Sequence, residues 1–309
     1  MNYCFGVDIG GTTVKIGLFE ETGTIVEKWE IPTNTLADGE AILPDIAFSL
    51  KTKIEERKLS EEDILGIGVG VPAPVTAEGI VNGSANLGWK YKEVKKEMEE
   101  LTGLKAYIGN DANVAALGEM WKGGGAGEKN MIMVTLGTGV GGGVIIDGKM
   151  LVGNNGAGGE IGHICVNYEE NDRCGCGNKG CLEQYASATG IVRLAEQKLK
   201  TEKRETILNK AAITAKDVFD AVKAGDEVAD EIAAEFGKYL GYGLANLAAV
   251  VNPAVFVIGG GVSKAGEVLI PYIEKPYKER AFFADKNVRT WNYIFTCQNT
   301  RCAKGLFGV

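Results

Sequence analysis

The apolar positions of this chain fall into two successions that begin alike. Residues 3–32, "YCFGVDIGGTTVKIGLFEETGTIVEKWEIP", read as a β-rich run, a Gly-Gly turn, an alternating run, a second glycine turn and a third run, which predicts three antiparallel strands. A helical period follows over 39–57, then a buried strand at "ILGIGVGVP", another at "KAYIG", and a helix at "NDANVAALGEMW" opened by an Asn/Asp cap. The pattern restarts at "NMIMVTLGTGVGGGVIIDGKML", again a buried strand, a glycine turn and a second strand, which reads as a degenerate internal duplication. Later, Val228, Ile232, Phe236, Leu240, Leu244, Leu247 and Val251 form one helical stripe before Pro253, followed by the strand "AVFVIGGG".

These elements predict two α/β halves, each a mixed sheet covered by helices, with boundaries at 1–122 and 123–309 and a cleft between them. A chain of 309 residues with 45% hydrophobic content exceeds one compact domain, which agrees. The net charge of −8 offers no basic surface for nucleic acid or a membrane, so a small-molecule partner is expected. No apolar run reaches the roughly 18 residues of a membrane span, and Met1 leads within a few residues into a strand, so a cytoplasmic location is expected.

Glycine, 44 residues in short clusters without a fixed period, points to tight turns around phosphate. In "DIGGTTVK", Asp8 ends a strand, Gly10 and Gly11 let backbone approach a ligand, and Thr12, Thr13 and Lys15 follow. That suits Mg²⁺-bound polyphosphate, with Asp8 anchoring the ion, although a Gly-Gly pair equally suits a plain hairpin. "LGTGVGGG" repeats the design at Gly137, Thr138 and Gly139; its dinucleotide-like spacing is rejected because a strand, not a helix, follows. Gly259, Gly260 and Gly261, between a strand and a helix, would let a flat ring slide against backbone.

Asn110 and Asp111 stand at a strand-to-helix junction. The plain reading is a helix cap; the functional one is that Asp111, at the strand end that faces a cleft, takes a proton from a sugar hydroxyl. The only histidine, His163, precedes Cys174, Cys176 and Cys181, which complete a tetrahedral zinc set with no open position, so the metal is expected to be structural. Of the seven cysteines, Cys4 and Cys297 lie in strand-like runs and are expected to pack. Glu160 and Glu183 flank the cluster, suited to accept paired hydroxyl hydrogen bonds, and the metal would pin their loop.

In this order "DIGGT", "NDAN", "LGTGVGGG", "GEIGHI", "CGCGNKGCLE" and "IGGG" strongly resemble the ROK family of repressors, open reading frames and kinases, over residues 3 to about 275. The stretch "GEIGHICV…CGCGNKGCLEQYASATGIVRLA" looks most like the family's bacterial glucokinases. The resemblance implies the two-lobed, actin-like ATPase and sugar kinase fold, of ribonuclease H-like type, with an interlobe cleft. It implies a homodimer that takes ATP and a sugar. It places Asp8, Gly10, Gly11, Thr12, Gly137, Thr138 and Gly139 at the phosphates and Gly259 to Gly261 at adenosine. Asn86, Asn110, Asp111, Glu160, His163 and Glu183 would contact sugar, with Asp111 as the base and His163 using one ring nitrogen on zinc. The expected reaction is phosphorylation of glucose at its 6-hydroxyl, with N-acetylmannosamine, N-acetylglucosamine or fructose as other acceptors, or sugar binding without catalysis. The family's repressors carry a DNA-binding module before "DIGGT"; here seven residues precede Asp8, so none is expected. Two departures stand out: Ala73 in "GVPAPV", where the family has glycine, and the ending "FTCQNTRCAKGLFGV", which replaces its usual final helix.

Overall fold

The computed structural model describes residues 1–292, so the atypical ending and Cys297 lie outside the described residues. The chain forms two compact units. The first holds Met1–Lys122 and Met150–Gly159; the second holds Gly123–Lys149 and, among described residues, 160–292. The segment 150–159, expected in the second half, therefore returns to the first. Its Gly156 packs so closely that a Cβ would stand 2.5 Å from the Val75 carbonyl oxygen, a contact with no signature in local sequence pattern.

In the first unit β1 (Tyr3–Ile9), β2 (Thr13–Glu20) and β3 (Ile25–Pro32) form the antiparallel opening. A short turn, α1 (Leu36–Gly39), and α2 (Ile42–Arg57) lead to β4 (Ile64–Val71), α3 (Val94–Thr102), β5 (Ala106–Asn110) and α4 (Asp111–Lys122). The sheet order is β3-β2-β1-β4-β5, with β4 parallel to both β1 and β5. The helix expected from residue 39 begins at Ile42, because Gly39 has φ +71° and a Cβ there would lie 2.3 Å from the Leu87 carbonyl oxygen. α2 then buries Ile42, Leu43, Ile46, Ala47 and Leu50, one helical face, and all but Ala47 join a core that includes Phe5, Val7 and Ile67. Each such side chain contributes about 1.5–3 kcal/mol by leaving water. Cys4 is fully buried, the packing role expected of it.

The second unit runs β6 (Met131–Leu136), β7 (Val140–Ile146), β8 (Lys149–Met150), α5 (Glu183–Ala186), α6 (Ala188–Leu199), α7 (Ala215–Lys223), α8 (Glu227–Val251), β9 (Val255–Gly259), α9 (Leu269–Arg280) and β10 (Arg289–Asn292). Its sheet, read from the hairpin side, is β8-β7-β6-β9-β10, the counterpart of β3-β2-β1-β4-β5 in position, and β7, β6, β9 and β10 match β2, β1, β4 and β5 in strand sense. The duplication read from the sequence is thus present in strand order. The registers correspond as well, Asp8 opposite Gly70 in the first sheet and Thr135 opposite Gly259 in the second.

α8 is capped by the Asp226 side chain, which accepts the Ala229 N–H, and ends at Asn252 in the left-handed region just before Pro253. Its stripe is buried from Val228 through Leu244, but Leu247 and Val251 are only half-buried and Ala248 takes the inward place. Steps of four residues drift around a 3.6-residue helix, so over 25 residues the inward face passes to neighbouring positions. Among the described residues no helix is long and apolar enough to cross a membrane.

Candidate functional site

In the first unit the parallel strands β1, β4 and β5 carry chemistry to their C-terminal ends. Asp8 lies opposite Gly70 on β4, and Gly70 lies opposite Gly109, one residue before Asn110 and two before Asp111. A methyl on Gly70 would stand 3.7 Å from Asp8 Oδ1 and 3.8 Å from Asp111 Cα, so this glycine keeps the floor between the two acids open. It was not singled out from the sequence, where it is one of several glycines in a buried run.

The junction resolves which residue caps and which remains for chemistry. Asn110 Oδ1 accepts the Asn113 N–H at 3.1 Å, and Asn110 Nδ2 donates to the Ala73 carbonyl at 3.3 Å, so Asn110 both caps α4 and holds the loop that carries Ala73. Asp111 Oδ1 accepts only the adjoining Ala112 backbone N–H, at 2.7 Å, among backbone donors outside its own residue. The residue keeps solvent access, yet enough protein surrounds its carboxyl for desolvation to raise it above the ordinary aspartate range, against the lowering effect of Ala112 N–H and Asn110.

The first glycine turn is tied down from β3 onward: Thr33 Oγ1 donates to the Gly10 carbonyl at 2.7 Å, and Thr33 N–H to the Thr12 carbonyl at 3.0 Å. Lys15 sits across from Asp8 on β2. Asn86 lies against Gly11, whose Cβ would be 3.6 Å from the Asn86 carbonyl oxygen, and its loop is fixed where Trp89 Nε1 donates to the Gly39 carbonyl at 3.1 Å. Asp8, the Gly10–Thr12 turn, Asn86, Asn110 and Asp111 are therefore one neighbourhood.

In the second unit, one ligand atom from each of His163, Cys174, Cys176 and Cys181 falls within 4.8 Å of every other. His163 Nδ1 lies 3.8 Å from Cys174 Sγ, and Cys176 Sγ lies 3.6 Å from Cys181 Sγ. A tetrahedral zinc at ordinary Zn–S and Zn–N lengths has ligand–ligand edges of about 3.5–3.8 Å, which these two separations match, and the donor set fits the ion in kind. Burial pushes Cys181 up to about 12 and raises Cys174, so a bound cation would have to supply the charge that turns these thiols into thiolate ligands, whereas the Asn178 N–H helps lower Cys176. His163 turns Nδ1 to the cluster, which leaves Nε2 for another partner.

The loop is also held by side chains outside the His163, Cys174, Cys176 and Cys181 set. Burial alone would raise Glu170, but the Tyr185 hydroxyl at 2.5 Å, the Asp172 N–H and the Arg193 guanidinium together bring it down to about 2. A carboxyl depressed in the folded state stabilises above its unfolded pKa of about 4.3 and loses that contribution as pH falls toward the folded value. Glu170→Gln is therefore expected to lower stability at pH 7, with a deficit that narrows between pH 4.3 and about 2; urea titrations showing a pH-independent deficit would refute this assignment.

Glu183 was expected to face a sugar. Its Oε2 accepts the Val140 N–H at 3.0 Å, and Cys174 Sγ lies 3.6 Å from its Oε1. Glu160 is exposed at the start of the one-turn helix Ile161–His163 and stays outside the cluster. The second glycine turn is closed by Gly137 N–H to the Gly139 carbonyl at 3.0 Å. At the third, Gly260 has φ +88°, and a Cβ would stand 2.5 Å from the Leu136 carbonyl oxygen, so only glycine fits. Gly261 borders a cavity of about 300 Å³ walled by Ala188, Thr214, Phe219, Lys223 and Val262. The sequence pointed to its glycine side; the α7 wall was missed, although Thr214 and Asp217 form a capping box legible as Thr-x-x-Asp.

Two duplicated sheets, each with a glycine hairpin, and an aspartate pair at the C-terminal strand ends define a protein of the actin-like sugar-kinase class. The chain matches the ROK family model over residues 4–308 and belongs to that family. It is 46% identical over 282 residues to a glucokinase of Halalkalibacterium halodurans, covering 89% of this chain and 85% of that one. A Thermotoga maritima glucokinase is 37% identical over 277 residues, covering 87% and 86%. A ROK-family glucokinase from Streptomyces griseus, solved with glucose and AMPPNP, superposes with a TM-score of 0.76 at 31% identity, over 99% of this chain and 98% of that one.

Proposed function

We propose that this ROK protein is a glucokinase, transferring the ATP γ-phosphoryl group to the 6-hydroxyl of glucose. The observation that carries the reading is Asp111, an aspartate with a raised carboxyl at the end of β5, in a chain 46% identical to a glucokinase. As the sugar oxygen bonds to the γ-phosphorus, the bond to the β-bridging oxygen breaks and ADP leaves, while the hydroxyl proton passes to Asp111. Asn110 holds the helix that presents Asp111. Asn86, Glu160, His163 and Glu183 are assigned to the sugar.

Asp8, Lys15 and the Gly10–Thr12 turn are assigned to the metal-bearing end of the phosphate chain, and Gly137, Thr138 and Gly139 to its backbone-bound oxygens. Gly259, Gly260 and Gly261 line the adenosine side, where the 300 Å³ cavity is large enough for a purine ring. Mg²⁺ would supply charge neutralisation on the nucleotide, and Asp8 is the side chain assigned to hold it. His163, Cys174, Cys176 and Cys181 hold a structural zinc. A cytoplasmic homodimer completes the proposal.

The test is ADP release with Mg-ATP across glucose, mannose, fructose, N-acetylglucosamine and N-acetylmannosamine. Glucose giving the highest kcat/KM is the expected result. A higher kcat/KM for another sugar would keep the mechanism and change the acceptor, and no release from folded, zinc-loaded protein would leave a sugar binder without catalysis.

A further inference from the structure

The metal cluster and the second glycine turn, 35 residues apart in sequence between Gly139 and Cys174, are joined by one short segment of chain. Cys181 is a cluster member. Two residues on, Glu183 accepts the Val140 N–H through Oε2 and meets Cys174 Sγ through Oε1. Five and six residues further, Ala188 N–H donates to the Gly137 carbonyl at 2.8 Å and Thr189 Oγ1 to the Thr138 carbonyl at 2.8 Å. The hydroxyl of Ser187 fixes this end by accepting the Gly190 N–H at 2.9 Å. Every residue of the turn is thus either bonded to this segment or pressed against it: at Gly139, a Cβ would stand 2.3 Å from Glu183 Oε2, so the carboxylate fills the space that glycine leaves.

We propose that Glu183 and Thr189 are positioning residues for nucleotide, which carry the order of the metal loop into the Gly137–Gly139 turn. The physical reason is directional. A turn that presents amide N–H groups to phosphate oxygens works when those groups are aimed before the ligand arrives, since ordering them afterwards costs binding free energy. Two bonds fix the carbonyls of Gly137 and Thr138 from the α6 side, and Glu183 fixes the first N–H of β7 from the other. With the zinc set closed, Cys174, which Glu183 touches, and Cys181, two residues before it, would both be held. This goes beyond a sugar-contact role, because it places the effect of the metal loop on the phosphates.

The inference rests on the sugar-kinase reading, and its test separates the two. ATP-analogue affinity is measured by calorimetry without sugar, so a lost sugar contact has no influence on it. Glu183→Ala and Thr189→Val should each weaken binding several-fold, with zinc content unchanged. Glu183→Gln, which keeps an acceptor for Val140 N–H, should recover most of the loss, and chelated wild-type protein should bind as weakly as Glu183→Ala. In turnover, KM for ATP should rise in Glu183→Gln far less than in Glu183→Ala. Wild-type affinity in Glu183→Ala and Thr189→Val would overturn the inference while leaving the kinase reading intact. Absence of analogue binding to the wild type would overturn both.

Discussion

Asp111→Asn is expected to lower kcat by roughly 10²–10⁴-fold while sugar binding is largely retained, because the amide keeps the shape of the carboxylate and cannot accept the hydroxyl proton. The structure adds a pH signature. The base is active only when ionised, and desolvation raises its carboxyl, so the acid limb of the wild-type rate profile should lie above the range of an ordinary aspartate. Stability runs the other way. A carboxyl raised on folding favours the folded state when protonated, and that preference is lost as pH rises through its folded pKa. The Asn variant should therefore be at least as stable as the wild type at neutral pH, with any gain vanishing in acid. Rate profiles and thermal melts on the two proteins decide the matter: near-normal turnover, or turnover lost only together with the fold, removes Asp111 from the role of base.

Removing the metal should produce the second large effect. A structural zinc site contributes about 10 kcal/mol or more in small peptides at neutral pH. Here Glu170, Tyr185 and Arg193 hold the same loop independently, so a loss nearer half that value is expected, a fall on the order of 10 °C in Tm for a chain this long. The purified protein should carry one zinc per chain, and a strong chelator should release it together with new reactivity at Cys174, Cys176 and Cys181. Re-addition of zinc should reverse both changes. A metal-free preparation with the same Tm and three thiols already reactive would show that the cluster is not a structural metal site.

Those two residue sets were legible in the sequence for a shared reason: each is short-range. The His163-to-Cys181 spacing and the Asn110-Asp111 junction are written in consecutive residues, as are the glycine hairpins that open each sheet. What was hidden depends on contacts between distant segments. Gly70 matters because β4 pairs with β1 and brings it beside Asp8, and the sequence shows only a glycine in an apolar run. The sequence offers Glu183 as an acceptor for sugar hydroxyls, and the Val140 N–H that it accepts is not legible there because it lies 43 residues away. Segment 150–159 joins the first unit through backbone approaches that no period encodes. The helix predicted from residue 39 starts later, at Ile42, because Gly39 is left-handed and the Leu87 carbonyl, far along the chain, leaves no room for a Cβ there.

The paired registers of the two sheets have an electrostatic consequence. Where the first copy of the hairpin places Asp8, its counterpart in the second copy is Thr135, each opposite a glycine on the adjoining parallel strand. The two hairpins thus differ in side-chain charge at one matching register position. Under the proposed assignment the first turn would recruit a cation through Asp8, while the second, with Thr135 in that place, would meet anionic oxygen with no added repulsion. Thr135→Asp would place a carboxylate at the matching register of the second hairpin, where it would repel the phosphate oxygens that the proposal assigns to the Gly137–Gly139 turn.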